Sequence, residues 1–288
     1  MFQTLSCSFR STIKVFSLPL VLGVLGVFSA HAQEARPVFD VDGNKVFTKP
    51  ELLDIVNKCL DRWSDTPYTT EKLDYCLHVL TNHLHEKGYL QAHLGKTLYD
   101  QNENVLRATI PLEEGALYRM GEIKIADAKV LAPAQILDLI NLKTGDIADG
   151  DKLSTGLYER VKEAYSNLGY IQYTAEATPT FLLKDGAAEG VVDLAITIDE
   201  GQQFKIRTIK FIGGDKAATD LLRKELMVHD GEVFNQDLWK QSIIRMNNSG
   251  LFDPLDVDKD VDYKTDEKVA LIDLTIRLRK NAAAANKP

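Results

Sequence analysis

A chain of 288 residues with a formal charge of −8 and 44% hydrophobic residues is acidic and has material for apolar cores. Its charge repels phosphate backbones and anionic lipid headgroups, which argues against nucleic acid or a membrane surface as partner. None of its three cysteines lies in a Cys-x-x-Cys pair, so redox exchange is not indicated.

Residues 1–32 read as a cleavable secretory signal. Arg10 and Lys14 give a positive start, residues 15–28 are almost wholly apolar, and Ala30-His31-Ala32 matches a small-x-small cleavage site. Cleavage after Ala32 makes Gln33 the first residue of the exported chain. The apolar run is shorter than the ~20 residues a membrane-spanning helix needs; an uncleaved anchor is the alternative. Cleavage takes the formal charge to −10. No later run is long and apolar enough to span a membrane as a helix, so the exported chain is expected to be soluble.

Residues 33–115 then show a short extended segment at 37–42, a Gly43-Asn44 turn and two amphipathic helices over 50–63 and 71–87. Gly88 follows, then an extended run at 89–99 and alternation at Leu106, Ala108, Ile110 and Leu112, closing on Glu114-Gly115. Residues 116–201 repeat the order: a strand at 118–125, helices over 133–141 and 153–168, Gly169, an extended run at 170–181, and alternation from Val192 to Ile198 before Glu200-Gly201. Residues 202–280 repeat it again, with Phe204 opening a strand and helices over 217–227 and 235–249. Gly250 follows, then a strand at 257–263 and alternation from Ile272 to Leu278. Residues 281–288 form an alanine-rich tail without pattern. Gly88, Gly169 and Gly250 stand 81 residues apart in both intervals, the mark of one small domain in tandem. Each is read as a helix stop, where only glycine enters the left-handed region without a side-chain penalty.

Cys7 leaves with the signal. Cys59 shares a helical face with Leu52, Val56 and Leu60, and Cys76 with Leu73, Leu77 and Leu80. Two short antiparallel helices would bring both cysteines inward, as a structural disulfide or as two buried thiols.

Strand–helix–helix–strand–strand units of this size behind a signal resemble polypeptide-transport-associated (POTRA) domains. The resemblance rests on Val41-Asp42-Gly43-Asn44-Lys45-Val46-Phe47, on Gly88-Tyr89 and Glu114-Gly115, on Phe234-Asn235-Gln236-Asp237-Leu238, and on Ser249-Gly250-Leu251-Phe252. It implies an α+β fold of three tandem β-α-α-β-β domains, each a small three-stranded sheet with two helices on one face. It also implies a periplasmic protein–protein interaction module in outer-membrane protein assembly or secretion, with no cofactor. In this family the repeats normally precede an outer-membrane barrel. This sequence departs from that pattern by ending eight residues after its third unit, so a barrel's activity is not carried over. Expected partners are an outer-membrane barrel protein, unfolded outer-membrane clients, or both. The family's mode is addition of an extended strand to a sheet edge, which the resemblance places on the run after each glycine: Tyr89, Gln91 and His93; Tyr170, Gln172, Thr174 and Ala175; and Val257, Asp258 and Lys259.

The alternative function is calcium binding. In residues 40–51, Asp40, Asp42, Asn44 and Glu51 occupy positions 1, 3, 5 and 12 of an EF-hand-like loop, but Lys45 stands where the sharp turn needs glycine. His78, His83, His85 and His93 cluster without a full set of metal ligands and read as solvent-facing. Gly213-Gly214 lacks the glycine and lysine of a phosphate loop. No nucleophile motif or paired-carboxylate site stands out, and the chain is read as non-enzymatic.

Overall fold

Alternation of apolar residues builds three sheets, and helical capping signals set the helices against them. In the computed structural model, residues 36–102 and 105–279 are described; the signal, the cut between Ala32 and Gln33, and the 281–288 tail lie outside them. The first unit contains β1 (Val38–Asp42), α1 (Lys49–Asp61), α2 (Thr70–Glu86), β2 (His93–Leu94), β3 (Leu98–Asn102) and β4 (Val105–Glu113). The second has β5 (Leu117–Ala126), α3 (Pro133–Ile140), α4 (Gly150–Thr155), a π-helical turn (Gly156–Val161), α5 (Lys162–Ser166), β6 (Thr174–Leu182) and β7 (Glu189–Asp199). The third has β8 (Lys205–Ile212), α6 (Lys216–Arg223), α7 (Gln236–Asn248), α8 (Val257–Asp260), β9 (Val261–Asp266) and β10 (Leu271–Arg277).

The closing strand is central in every sheet. It pairs in parallel with the opening strand (β1–β4, β5–β7, β8–β10) and antiparallel with the strand between. In the first unit that middle strand comes as two pieces, β2 and β3, both antiparallel to β4. The units keep separate cores. Phe39, Val41, Leu52, Leu80 and Ile110 belong to the first, Tyr118, Ile136, Leu157 and Ile196 to the second, and Phe204, Trp239, Ile243 and Leu274 to the third.

Side-chain caps set the helix starts. Thr48 and Glu51 form a reciprocal capping box at α1, with Pro50 in the first turn. Thr69, Asp149, Asp215 and Asn235 cap α2, α4, α6 and α7. Cys59 and Cys76 form a disulfide that ties α1 to α2, with Cα atoms 5.6 Å apart.

The closing Glu-Gly pairs have a use beyond marking a boundary. Glu114, 3% exposed, accepts the N–H groups of Val46 (2.7 Å) and Phe47 (3.1 Å), locking the β1–α1 loop to the end of β4. Glu200 repeats the latch on Lys129 (2.7 Å) and Val130 (2.8 Å) and also accepts from the Tyr165 hydroxyl at 2.9 Å. Burial works against the ionised Glu200, but these donors outweigh it and hold its pKa below the ordinary 4.5. Its stabilising share is therefore complete above the unfolded-state pKa and is lost as pH falls through the depressed folded one. Glu114→Ala strands two N–H donors and should cost about 2 kcal/mol, read as a lower denaturant midpoint for the first unit at an unchanged slope.

Candidate partner-binding edges and the repeated junction

The helix-ending glycines are left-handed as expected, with φ of +88° at Gly88, +86° at Gly169 and +65° at Gly250. At the first two, the chain then turns before it extends, because Ala92 N–H bonds Tyr89 carbonyl and Tyr173 N–H bonds Tyr170 carbonyl. The strands start at His93 and Thr174. Tyr89 and Gln91, and Tyr170 and Gln172, therefore precede the edge strands, while His93, Thr174 and Ala175 lie in them.

The residues in those turns join units together. Tyr89 packs edge-on to Phe47, and Tyr170 edge-on to Tyr165, each in its own unit. Leu90 and Ile171, one position later, instead pack on the core of the next unit. The Gly88 carbonyl accepts the Tyr118 N–H at 2.9 Å, and the Gly169 carbonyl accepts that of Phe204 at 2.9 Å. Gln91 accepts from the Tyr118 hydroxyl at 2.6 Å, and Gln172 donates to Glu267 at 3.1 Å. A side-chain carbon at Gly88 would sit 2.7 Å from Ile147 Cγ2, and one at Gly169 2.7 Å from Val233 Cγ1. These glycines thus serve twice, as helix stops and as close-approach points for the next unit. The exact repetition of the spacing was the available signal, but it does not reveal the contact across units.

In the third unit the expected strand at Val257, Asp258 and Lys259 is a helical turn, and β9 begins at Val261. Asp256 caps that turn through the Asp258 N–H, and the buried Asp260 is held by Arg279 at 2.6 Å. Local carboxylate capping wins over the apolar alternation there.

Each sheet has two flanks, and they differ. Beside β5 the loop before α4 adds backbone bonds (Met120 N–H to Asp146 carbonyl, Ala148 N–H to Tyr118 carbonyl); beside β8 the loop before α7 does the same through Ile206 and Phe234. Among the described residues, no strand lies outside β6 or β9. On β6, Ala175, Ala177 and Phe181 pack toward the core, and Pro179 shares their alternation opposite Leu194. Pro179 has no N–H to give β7, so its set is the one whose main-chain groups face outward. The outward row of β6 is therefore missing a donor. On β9 the matching row is Val261, Tyr263 and Thr265, opposite Ile276, Leu274 and Ile272, and it is complete. Beside it lies a recess of about 360 Å³ lined by Ile171, Phe234, Trp239, Val257, Tyr263 and Ile272 among others. Trp239 donates to the Tyr263 hydroxyl at 2.8 Å, and the two rings meet edge-on.

Asp40, Asn44 and Glu51 of the calcium loop have other partners. Asp40 lies in β1, where a hydrogen bond from Lys49 at 3.0 Å keeps its carboxyl below the usual range. Asn44 donates to the Phe47 carbonyl, and Glu51 completes the α1 capping box. His85 bonds the Ala92 carbonyl, His83 faces Glu86 and His93 faces Glu113. No group of three or more His, Cys, Asp or Glu among the described residues is placed to hold a metal. No helix there is long and apolar enough to cross a membrane.

Three sheets of one topology, joined head to tail by a repeated glycine contact, define a tandem-domain protein. The POTRA family model, described as surface antigen variable number repeat, matches residues 118–201 and 204–281. That is more than half of the chain, and the protein belongs to this family. It is 20% identical over 268 residues to the outer membrane protein assembly factor BamA of Neorickettsia risticii, covering 86% of this chain and 34% of the relative. It is 21% identical over 240 residues to BamA of Neisseria meningitidis serogroup B, covering 81% and 30%. The chain thus spans about a third of the length of these relatives. The crystal structure of Haemophilus influenzae BamA POTRA3-5 superposes with a TM-score of 0.64 at 17% identity, covering 85% of this chain and 95% of that one. This agreement shows the fold.

Proposed function

We propose that this protein is a non-enzymatic periplasmic interaction module serving outer-membrane protein assembly or secretion, and that it takes up an extended polypeptide as an added strand beside β9. The family and the relatives named as assembly factors support the setting, with an outer-membrane barrel protein or its unfolded clients as partner. The observation that carries the binding mode is the unpaired outer row of β9 next to an apolar recess. Main-chain hydrogen bonds along such an edge give sequence-tolerant affinity, and the recess accommodates an apolar side chain of the added strand. β6 has the same place in its sheet but lacks the Pro179 donor, a device that blunts an edge.

The test is titration with a ten-residue peptide of alternating apolar and polar residues. Thr265→Pro removes one outward donor, in the alternation where β6 itself tolerates Pro179, and should weaken binding about three- to tenfold while unfolding stays cooperative. Ala175→Pro acts on an edge already short of a donor and should change binding less than about twofold, well below the worth of one hydrogen bond. Equal losses from the two variants, or none from Thr265→Pro, would contradict β9 as the accepting edge.

A further inference from the structure

The first two helix-ending glycines are covered by the next unit, whereas among the described residues nothing lies within 4 Å of a side-chain carbon placed at Gly250. The comparison extends to its neighbours. After Gly88 and Gly169, one of the next two residues enters its own core and the other enters the next unit's; after Gly250, Phe252 packs on its own core while Leu251 stays 37% exposed. Asn167, two before Gly169, accepts from the Asn235 side chain and the Asp237 N–H at the start of α7. Asn248 holds the same place before Gly250 and is exposed. Glu163, six before Gly169, pairs with Lys240 at 3.1 Å, and at the corresponding place Ile244 is 59% exposed.

We infer that the end of α7, with Gly250, Asn248, Ile244 and Leu251, is a docking face for a further unit of this same strand-led class carried on a partner protein. Continuity with the two internal junctions specifies the partner's chemistry. An N–H at the start of a strand reaches the Gly250 carbonyl, as those of Tyr118 and Phe204 do at their glycines. A β-branched side chain from the loop before a helix covers the glycine, as Ile147 and Val233 do. That helix's first turn meets Asn248. Where the second junction has the Glu163–Lys240 ion pair, the partner places an apolar residue against Ile244. This inference rests on the proposed interaction role, but it names a face separate from the β9 edge.

The full chain carrying a photo-crosslinking residue at Ile244, produced in its native envelope, tests it. The sequenced cross-link should fall on the first turns of the helix that follows the pre-helix loop of a strand-led α+β unit in one partner, where Lys240 stands in the second junction. Gly250→Asn keeps a residue that tolerates the left-handed region, and should abolish the link while leaving peptide binding at β9 unchanged. Asn248→Ala, on an exposed side chain, should reduce the link at least about threefold, the loss of one or two hydrogen bonds. A link to a second copy, to residues 280–288 of the same chain, to no partner, or one indifferent to Gly250→Asn overturns the inference. Loss of β9 binding with the link intact would instead count against strand addition.

Discussion

Gly169→Ala should loosen the contact between the second and third units, whereas Gly250→Ala should leave every contact between units in place. Both substitutions force a side chain onto a left-handed residue, at a cost of about 1 kcal/mol. Only at Gly169 does the new carbon also meet the next unit, 2.7 Å from Val233 Cγ1 and 3.0 Å from the Phe204 carbonyl oxygen. The oxygen is backbone and cannot rotate away, so overpacking adds about 1–3 kcal/mol. It also threatens the Phe204–Gly169 hydrogen bond and the seat of Ile171 in the third core. Calorimetry should show the third unit's transition separating from that of the second, and small-angle scattering should show a longer particle. Equal behaviour of the two alanine variants would mean that the glycine contact does not couple the units.

Removing the Cys59–Cys76 disulfide should have the other large effect. The bridge closes a short loop, with a sequence separation of 17 between two helices whose cysteines are almost fully buried. A constraint of that length lowers the entropy of the unfolded chain and stabilises by about 3 kcal/mol. In a domain of this size that corresponds to roughly 12–24 °C in unfolding midpoint. The double replacement Cys59→Ala, Cys76→Ala avoids leaving an unpaired thiol and should lower the first unit's transition alone. Mass spectrometry without reductant should find the two cysteines joined; two alkylatable thiols in the native protein would refute the bridge.

Much of the architecture was legible in the sequence because it is written in short-range signals. The alternation at 106–112, 192–198 and 272–278 places the central strands, helically spaced apolar faces place the helices, and the recurrent glycines place the helix ends. What escaped depends on groups far apart in the chain. The Glu114 latch spans 68 residues to Val46, and the roles of Gln91 and Gln172 exist only once the next unit is in place. Val257, Asp258 and Lys259 were misplaced because Val257, Val261 and Tyr263 suggest a strand, while Asp256 caps a helical turn. The π-helical turn at Gly156–Val161 was hidden too. A side chain at Gly156 would sit 2.6 Å from Ile140 Cα, and Arg160 crosses to the Leu139 and Ile140 carbonyls; only the packed helices show why the register shifts there.

Of the candidate edges, the interrupted β2–β3 and the proline-bearing β6 are poorer templates than β9. Amide hydrogen exchange on the full chain, with and without saturating alternating peptide, tests strand addition most directly. Slowed exchange concentrated at Val261, Tyr263 and Thr265 is the expected result. Protection along β8 instead, or no change in any of the three sheets, would contradict it.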